Sequence, residues 1–174
     1  DADLYCLPSG IVWDNKTVTG SFIEQTLSYV IENRIHIVGA SIGGSNRKEL
    51  NEKILEAQRH GVIFTTSAGN LGEKGLTSFA KSDVWISVAA AHYLDYKDKI
   101  SLASYSSRGP ELDITSFSGL YVHDGRPGYE DRVFVVEGTS FSQPMVAGML
   151  ALVQQFFLEK TGQTLNQEQM LQFI

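Results

Sequence analysis

The chain has 174 residues, 43% of them hydrophobic, so it is long enough to bury one sizeable core, and nothing in its composition marks it as fibrous, disordered or of low complexity. A formal net charge of −6, with the 14 Lys and Arg residues scattered singly or in pairs such as Arg47-Lys48, argues against a nucleic-acid partner. The longest apolar run, Met145 to Val153, is far short of the roughly 20 residues of a membrane span, and no charged-then-apolar leader opens the chain, so neither a membrane nor a targeting signal is expected.

The first segment, "DADLYCL", starts without methionine, and its residues 4 to 7 read as a strand already under way. Cys6, the single cysteine, then reads as a buried strand residue and excludes an intramolecular disulfide or a cysteine-rich metal site. Next comes a helix with Phe22, Ile23, Leu27, Val30 and Ile31 on one face, opened by Ser21 and Glu24 at capping-box spacing. A second helix carries Leu50, Ile54 and Ala57, with Asn46 as its cap, Glu49 three residues on and Gly61 as its stop. The β-branched runs at 35–41, 62–68, 84–91 and 133–137 read as strands buried on both faces. A long helix follows from about Ser140 to Glu159; Met149, Leu150, Leu152, Val153, Phe156 and Phe157 cover most of its faces and predict burial nearly all round. Asn166 and Gln169 open a short surface helix, and Ile174 still falls inside its pattern, so both ends of the chain read as cut.

This alternation predicts one compact α/β domain with a mainly parallel sheet and helices on both faces. Ligands of such sheets sit where strand carboxyl ends lead into helices. The loops there are "SIGGSN" (41–46) and "SAGNLGEKG" (67–75), and neither has the glycine spacing of a phosphate-binding loop.

Ser140 falls at the first turn of the long helix, after the tight Gly138-Thr139 approach, where unpaired N–H groups carry partial positive charge. It is either an N-cap or a nucleophile whose reaction generates an oxyanion. Asn70, between Gly69 and Gly72, is either a turn residue or a side-chain donor to that oxyanion.

Three segments together resemble the subtilisin-like serine peptidases: "GTSFSQPMVAG" their nucleophile motif, "SAGN" their oxyanion motif and "ASIGG" their substrate strand. "SLASYSSRGPELDI" (101–114) is similar to a further segment of the same family. The resemblance implies a three-layer subtilisin-like fold, incomplete at its N-terminal side, over residues 1–174. It also implies that Ser140 is the acylated nucleophile and that Asn70, with the Ser140 backbone N–H, forms the oxyanion hole. Ser41, Ile42 and Gly43 would pair with an extended peptide or protein substrate as an added strand, and Ser67, Ala68 and Gly69 would line the pocket for the side chain before the scissile bond.

A serine hydroxyl needs a histidine to take its proton and a carboxylate to orient that histidine. The chain has neither the D-[ST]-G acid motif nor the H-G-T base motif of this family, and His36, His60, His92 and His123 stand in other contexts. "ADLYCL" resembles the strand after the base-bearing helix, which puts acid and base before residue 1 and makes the upstream part of the same domain an expected partner. The chain alone is then expected to be inactive and prone to self-association; the alternative is a catalytically silent peptide-binding relative. No cofactor and no metal site is expected, and secreted and cytoplasmic locations are equally compatible. The departures from the family pattern are Phe141, Gln143 and Met145 in the nucleophile helix, Gly39 and Ala40 where larger residues precede "SIGG", and Glu137 before the Gly-Thr-Ser turn.

Overall fold

The structure, a computed structural model, describes residues 2–7, 20–94 and 99–174, the side chains of 20–24 and 93–94 excepted. In chain order the elements are α1 (Gly20–Glu32), β1 (Ile37–Ala40), α2 (Lys48–Arg59), β2 (Ile63–Ser67), a 3-10 turn (Gly72–Lys74), β3 (Ile86–Leu94), β4 (Lys99–Leu102), β5 (Ile114–Phe117), β6 (Leu120–His123), β7 (Val133–Val136), α3 (Thr139–Thr161) and α4 (Gln167–Phe173). The main sheet runs β1-β2-β3-β4, with β5 also on β3, and β6 and β7 form a separate pair. β2 and β5 lie parallel to β3, whereas β4 returns antiparallel to it, so the fold is α/β with a mixed sheet of the expected parallel character.

The chain divides into two compact units, one of Asp1–Val38, Asn46–Phe64 and Leu150–Ile174, the other of Gly39–Ser45 and Thr65–Met149. In the first, α1 packs on α2. Leu27 and Val30 on α1 and Leu50, Ile54 and Ala57 on α2 are buried, at the three- and four-residue spacing that puts them on one helix face. Each fully buried aliphatic side chain of this kind contributes about 1.5–3 kcal/mol. α4 opens on the expected capping box, with Asn166 and Gln169 bonded reciprocally. Two buried glutamines hold this end of the chain. Gln154 clamps the Leu165 backbone through both its amide atoms, at 2.7 Å each, and the Gln167 side-chain oxygen accepts the Phe64 N–H at 2.9 Å.

In the second unit Ala68, Leu76, Ala80 and Ala89 form a buried cluster edged by Leu102 and Leu112, and Phe79 stacks on Trp85 at 5.4 Å. Small side chains here let the β2–β3 segments and the 67–80 loop approach closely. The "SYSSRGPELD" segment braces that loop. The hydroxyls of Ser106 and Ser107 accept the N–H groups of Ala90 and Leu71, and Asp113 accepts both the N–H and the hydroxyl of Ser87.

Several sequence expectations are corrected. Leu4–Leu7 is not a strand and Cys6 is exposed, because an extended segment becomes a strand only against a partner edge, and this segment has none among the described residues. Residues 133–137 are not buried on both faces: Val133, Phe134 and Val135 are about half exposed, since among the described residues β7 pairs only with β6 in a two-stranded ribbon. β1 spans only Ile37–Ala40 and is half-buried, and β3 starts at Ile86. α2 is capped at Arg47, with no side-chain cap bond, and not at Asn46. Its stop is as expected, with Gly61 at φ +84°. The Ser21–Glu24 capping pair, with Phe22 and Ile23, lies outside the described side chains.

α3 is not buried all round either. Its buried residues, Thr139, Ser142, Gln143, Val146, Leu150 and Gln154, follow one helical stripe, while Met145, Met149, Leu152, Phe156 and Leu158 are exposed. At 23 residues the helix is long and apolar enough to cross a membrane by length and composition. Gln143 and Gln154 are nevertheless buried and hydrogen-bonded to protein, which is the pattern of a helix that packs on protein.

Candidate active site

All eight site residues expected from the sequence fall in the second unit. The nucleophile turn begins at Gly138, whose φ of +135° is open to glycine and strained for any residue with a Cβ. Thr139 is the first helical residue and Ser140 the second. The Thr139 N–H donates to Asn70 Oδ1 at 3.0 Å, and the N–H groups of Phe141 and Ser142 turn back to the Gly138 carbonyl at 3.0 and 3.4 Å. Among the described residues the Ser140 N–H has no such acceptor, as expected for a donor in the first turn of a helix.

Asn70 is held by the helix that carries the serine. Its Oδ1 accepts both the N–H and the hydroxyl of Thr139, each at 3.0 Å. A backbone N–H can only donate, so the atom facing it is the oxygen, and the amide Nδ2 is turned the other way with no acceptor among the described residues. The Thr139 hydroxyl also accepts the Gly69 N–H at 3.2 Å. Gly69 has φ +105°, and a Cβ there would lie 2.6 Å from the Thr77 methyl. Two donors are thus left over at the serine, the Ser140 N–H and the Asn70 amide.

Ser41 is tied to Ser140 by a consequence of Pro144. A proline has no N–H, so the Ser140 carbonyl four residues earlier receives no helical hydrogen bond. The Ser41 hydroxyl donates to that carbonyl at 2.9 Å, sharing its proton with Gln143 Oε1 at 2.6 Å. In return the Ser140 hydroxyl faces the Ser41 carbonyl at 3.5 Å. Ile42 is half-buried and Gly43 exposed, beyond the end of β1, so their backbone is accessible to an extended ligand.

Ser67, Ala68 and Gly69 are buried. Their backbone groups are engaged: the Ala68 carbonyl accepts the Thr77 N–H at 3.0 Å and the Gly69 carbonyl the Ser107 N–H at 2.9 Å. They can act as a rigid wall and not as donors.

Among the described residues no imidazole and no carboxylate is hydrogen-bonded to Ser140. His92 meets Tyr105 and Glu137, His123 approaches the Glu130 carbonyl at 3.3 Å, and His60 caps α2. Sequence reasoning missed Thr139, Gln143 and Tyr105. Thr139 was hidden in plain view, as the middle residue of the Gly-Thr-Ser turn. No three His, Cys, Asp or Glu side chains converge as a metal site requires among the described residues.

The α/β fold thus places a serine in the first turn of a long helix with an asparagine side chain beside it. The model of the Subtilase family matches residues 5–173, and the chain belongs to that family. It is 29% identical over 167 residues to a thermostable alkaline protease of Halalkalibacterium halodurans, covering 95% of this chain and 44% of that protein. It is 30% identical over 136 residues to subtilisin BL of Lederbergia lenta, covering 78% and 48%. A cold-adapted subtilisin-like serine proteinase of known structure superposes with a TM-score of 0.68 at 25% identity, over 91% of this chain and 54% of that one. The chain therefore spans less than half the length of these two curated relatives.

Proposed function

We propose that the chain supplies the nucleophile and the oxyanion hole of a subtilisin-like serine endopeptidase. Attack by Ser140 Oγ on a peptide carbonyl would form an acyl-enzyme, with the developing oxyanion received by the Ser140 N–H and Asn70 Nδ2. The carrying observation is the double hydrogen bond from Thr139 to Asn70 Oδ1, which aims the amide and the serine from one rigid turn. Ser41, Ile42 and Gly43 would hold an extended peptide by strand addition, and Ser67, Ala68 and Gly69 would wall the pocket for its side chain.

The proton of Ser140 needs an acceptor better than the carbonyl at 3.5 Å. We assign that role to a histidine, oriented by a carboxylate, from a part of the same domain outside these 174 residues. The chain by itself is then inactive. A fluorophosphonate probe tests this directly: it should label Ser140 when chain and complementary segment are present together, and the chain alone far more slowly. Labelling of neither would favour a catalytically silent, peptide-binding relative.

A further inference from the structure

Behind the nucleophile turn lies a chain of polar side chains with no place in the reading above. Gly138 N–H donates to Ser118 Oγ at 2.9 Å and to the Tyr105 hydroxyl at 3.1 Å. Tyr105 O–H donates to Ser118 Oγ at 2.8 Å, and Ser118 O–H reaches the Gly138 carbonyl at 3.4 Å. The Tyr105 and Ser118 protons are therefore both committed, and the Tyr105 oxygen can only accept from the next group outward. That group is His92, whose Nε2 is 3.4 Å from the Tyr105 oxygen and 3.5 Å from Glu137 Oε1, with its ring edge-on to Tyr105 at 5.8 Å.

Counting protons fixes the direction. Both neighbours of Nε2, the tyrosine oxygen and the carboxylate, are acceptors, so Nε2 carries the hydrogen and Nδ1 is the position that gains or loses a proton. Glu137 is also the residue that precedes Gly138. Among the described residues the groups that meet the ring are Tyr105, from the loop after β4, and Glu137, from the loop after β7; on the adjacent strand its register partner is the uncharged Ser101.

We propose that His92 is a positioning residue: through Tyr105 and Ser118 it couples its own protonation to the geometry of the Gly138 turn that holds Ser140. Protonation at Nδ1 strengthens donation from Nε2 to the tyrosine, which makes the Tyr105 oxygen a poorer acceptor for the Gly138 N–H. The turn shifts toward its Ser118 partner. This consequence for catalysis rests on Ser140 being the nucleophile; the coupling itself does not.

Glu137-Gly138 is the single Glu-Gly dipeptide of the sequence, so a chain with carbonyl-labelled glutamate and 15N-glycine gives one resolved Gly138 amide signal in a carbonyl-filtered NMR spectrum. We expect that signal to move with pH in step with the His92 ring signals. In H92Q, which keeps a donor but cannot take up a proton, the neutral-pH position should be retained and the pH dependence lost. In Y105F the Gly138 signal should stay still across the pH range in which the His92 ring signals move. A Gly138 signal that does not move with the His92 ring signals, or one that moves with them unchanged in Y105F, overturns the proposal. Fluorophosphonate labelling reports separately on Ser140, so failure of the nucleophile assignment leaves the NMR result standing.

Discussion

A Cβ on Gly39 would lie 2.5 Å from Gln143 Nε2, so the smallest residue before the substrate loop and the large amide in the nucleophile helix fit only together. Each departs from the family pattern alone, Gly39 where a larger residue is usual and Gln143 where a small one is. Together they conserve volume. The amide is buried, with Nε2 on Thr65 Oγ1 at 2.5 Å and Oε1 on Ser41 Oγ at 2.6 Å, so it cannot step aside without giving up both bonds.

Gly39→Ala should therefore destabilise the protein by about 1–3 kcal/mol, the usual cost of overpacking. In a Gln143→Ala background the same change should cost far less, giving a coupling of about 1 kcal/mol or more in a double-mutant cycle. Urea unfolding of the four proteins measures it, and additive effects would show that the two positions are independent.

Under the proposed mechanism, removing the Asn70 amide should lower the turnover of the chain with its complementary segment about 100- to 1000-fold with KM little changed, the effect of losing a donor to the developing oxyanion. Thr139→Val keeps the Thr139 N–H on Asn70 but removes the hydroxyl, so a smaller loss is expected. Steady-state cleavage of a peptide substrate separates the two, and an unchanged kcat in Asn70→Ala would exclude it from the oxyanion hole.

Ser142 lies on the buried stripe of α3, and its hydroxyl has no hydrogen-bond partner among the described residues. Ser142→Ala removes an unsatisfied polar atom without opening a cavity of any size. We expect a gain of up to about 1 kcal/mol in thermal or urea unfolding, and a loss of stability would mean that the hydroxyl is engaged.

The β6–β7 hairpin should loosen in acid. Asp124 accepts from Arg126 Nε at 2.8 Å and from the Arg126 N–H at 3.1 Å, and the guanidinium holds its carboxyl below the usual carboxylate range despite desolvation. Glu130 is also held low, by its own N–H and that of Gly128. A carboxyl whose folded pKa is depressed stabilises above its unfolded value, near 4, and that contribution disappears as pH falls through the folded value. Amide protection of the hairpin should therefore hold from neutral pH to about pH 4 and decline below it, and D124N with E130Q should abolish the decline.

Leu152 and Phe156 stand one turn apart on α3, 68% and 53% exposed, and form an apolar surface that favours association. The chain by itself should sediment as more than a monomer at micromolar concentration, and polar replacement at both positions should shift it toward monomer. If the double variant associates as before, another surface is responsible.

Legibility in the sequence followed the range of the interactions. The helices, the β2 and β3 runs and the Asn166 capping box come from periodicities and spacings of a few residues, so they could be read directly. The burial of the hairpin and of α3 could not. Val133–Val135 has the composition of a core strand but, among the described residues, one partner strand, and the α3 pattern is apolar on faces that those residues leave exposed.

The site divides in the same way. The sequence by itself determined the family, because Gly-Thr-Ser before a proline-bearing helix and Asn70 after a buried strand are local chemical motifs. Only the tertiary structure decided how they act together. The Asn70 amide is oriented by Thr139, 69 residues away, and the carbonyl left open by Pro144 is filled by Ser41, 99 residues from Ser140. Hydrogen bonds across such separations depend on where the sheet returns the chain, and no short-range pattern encodes that.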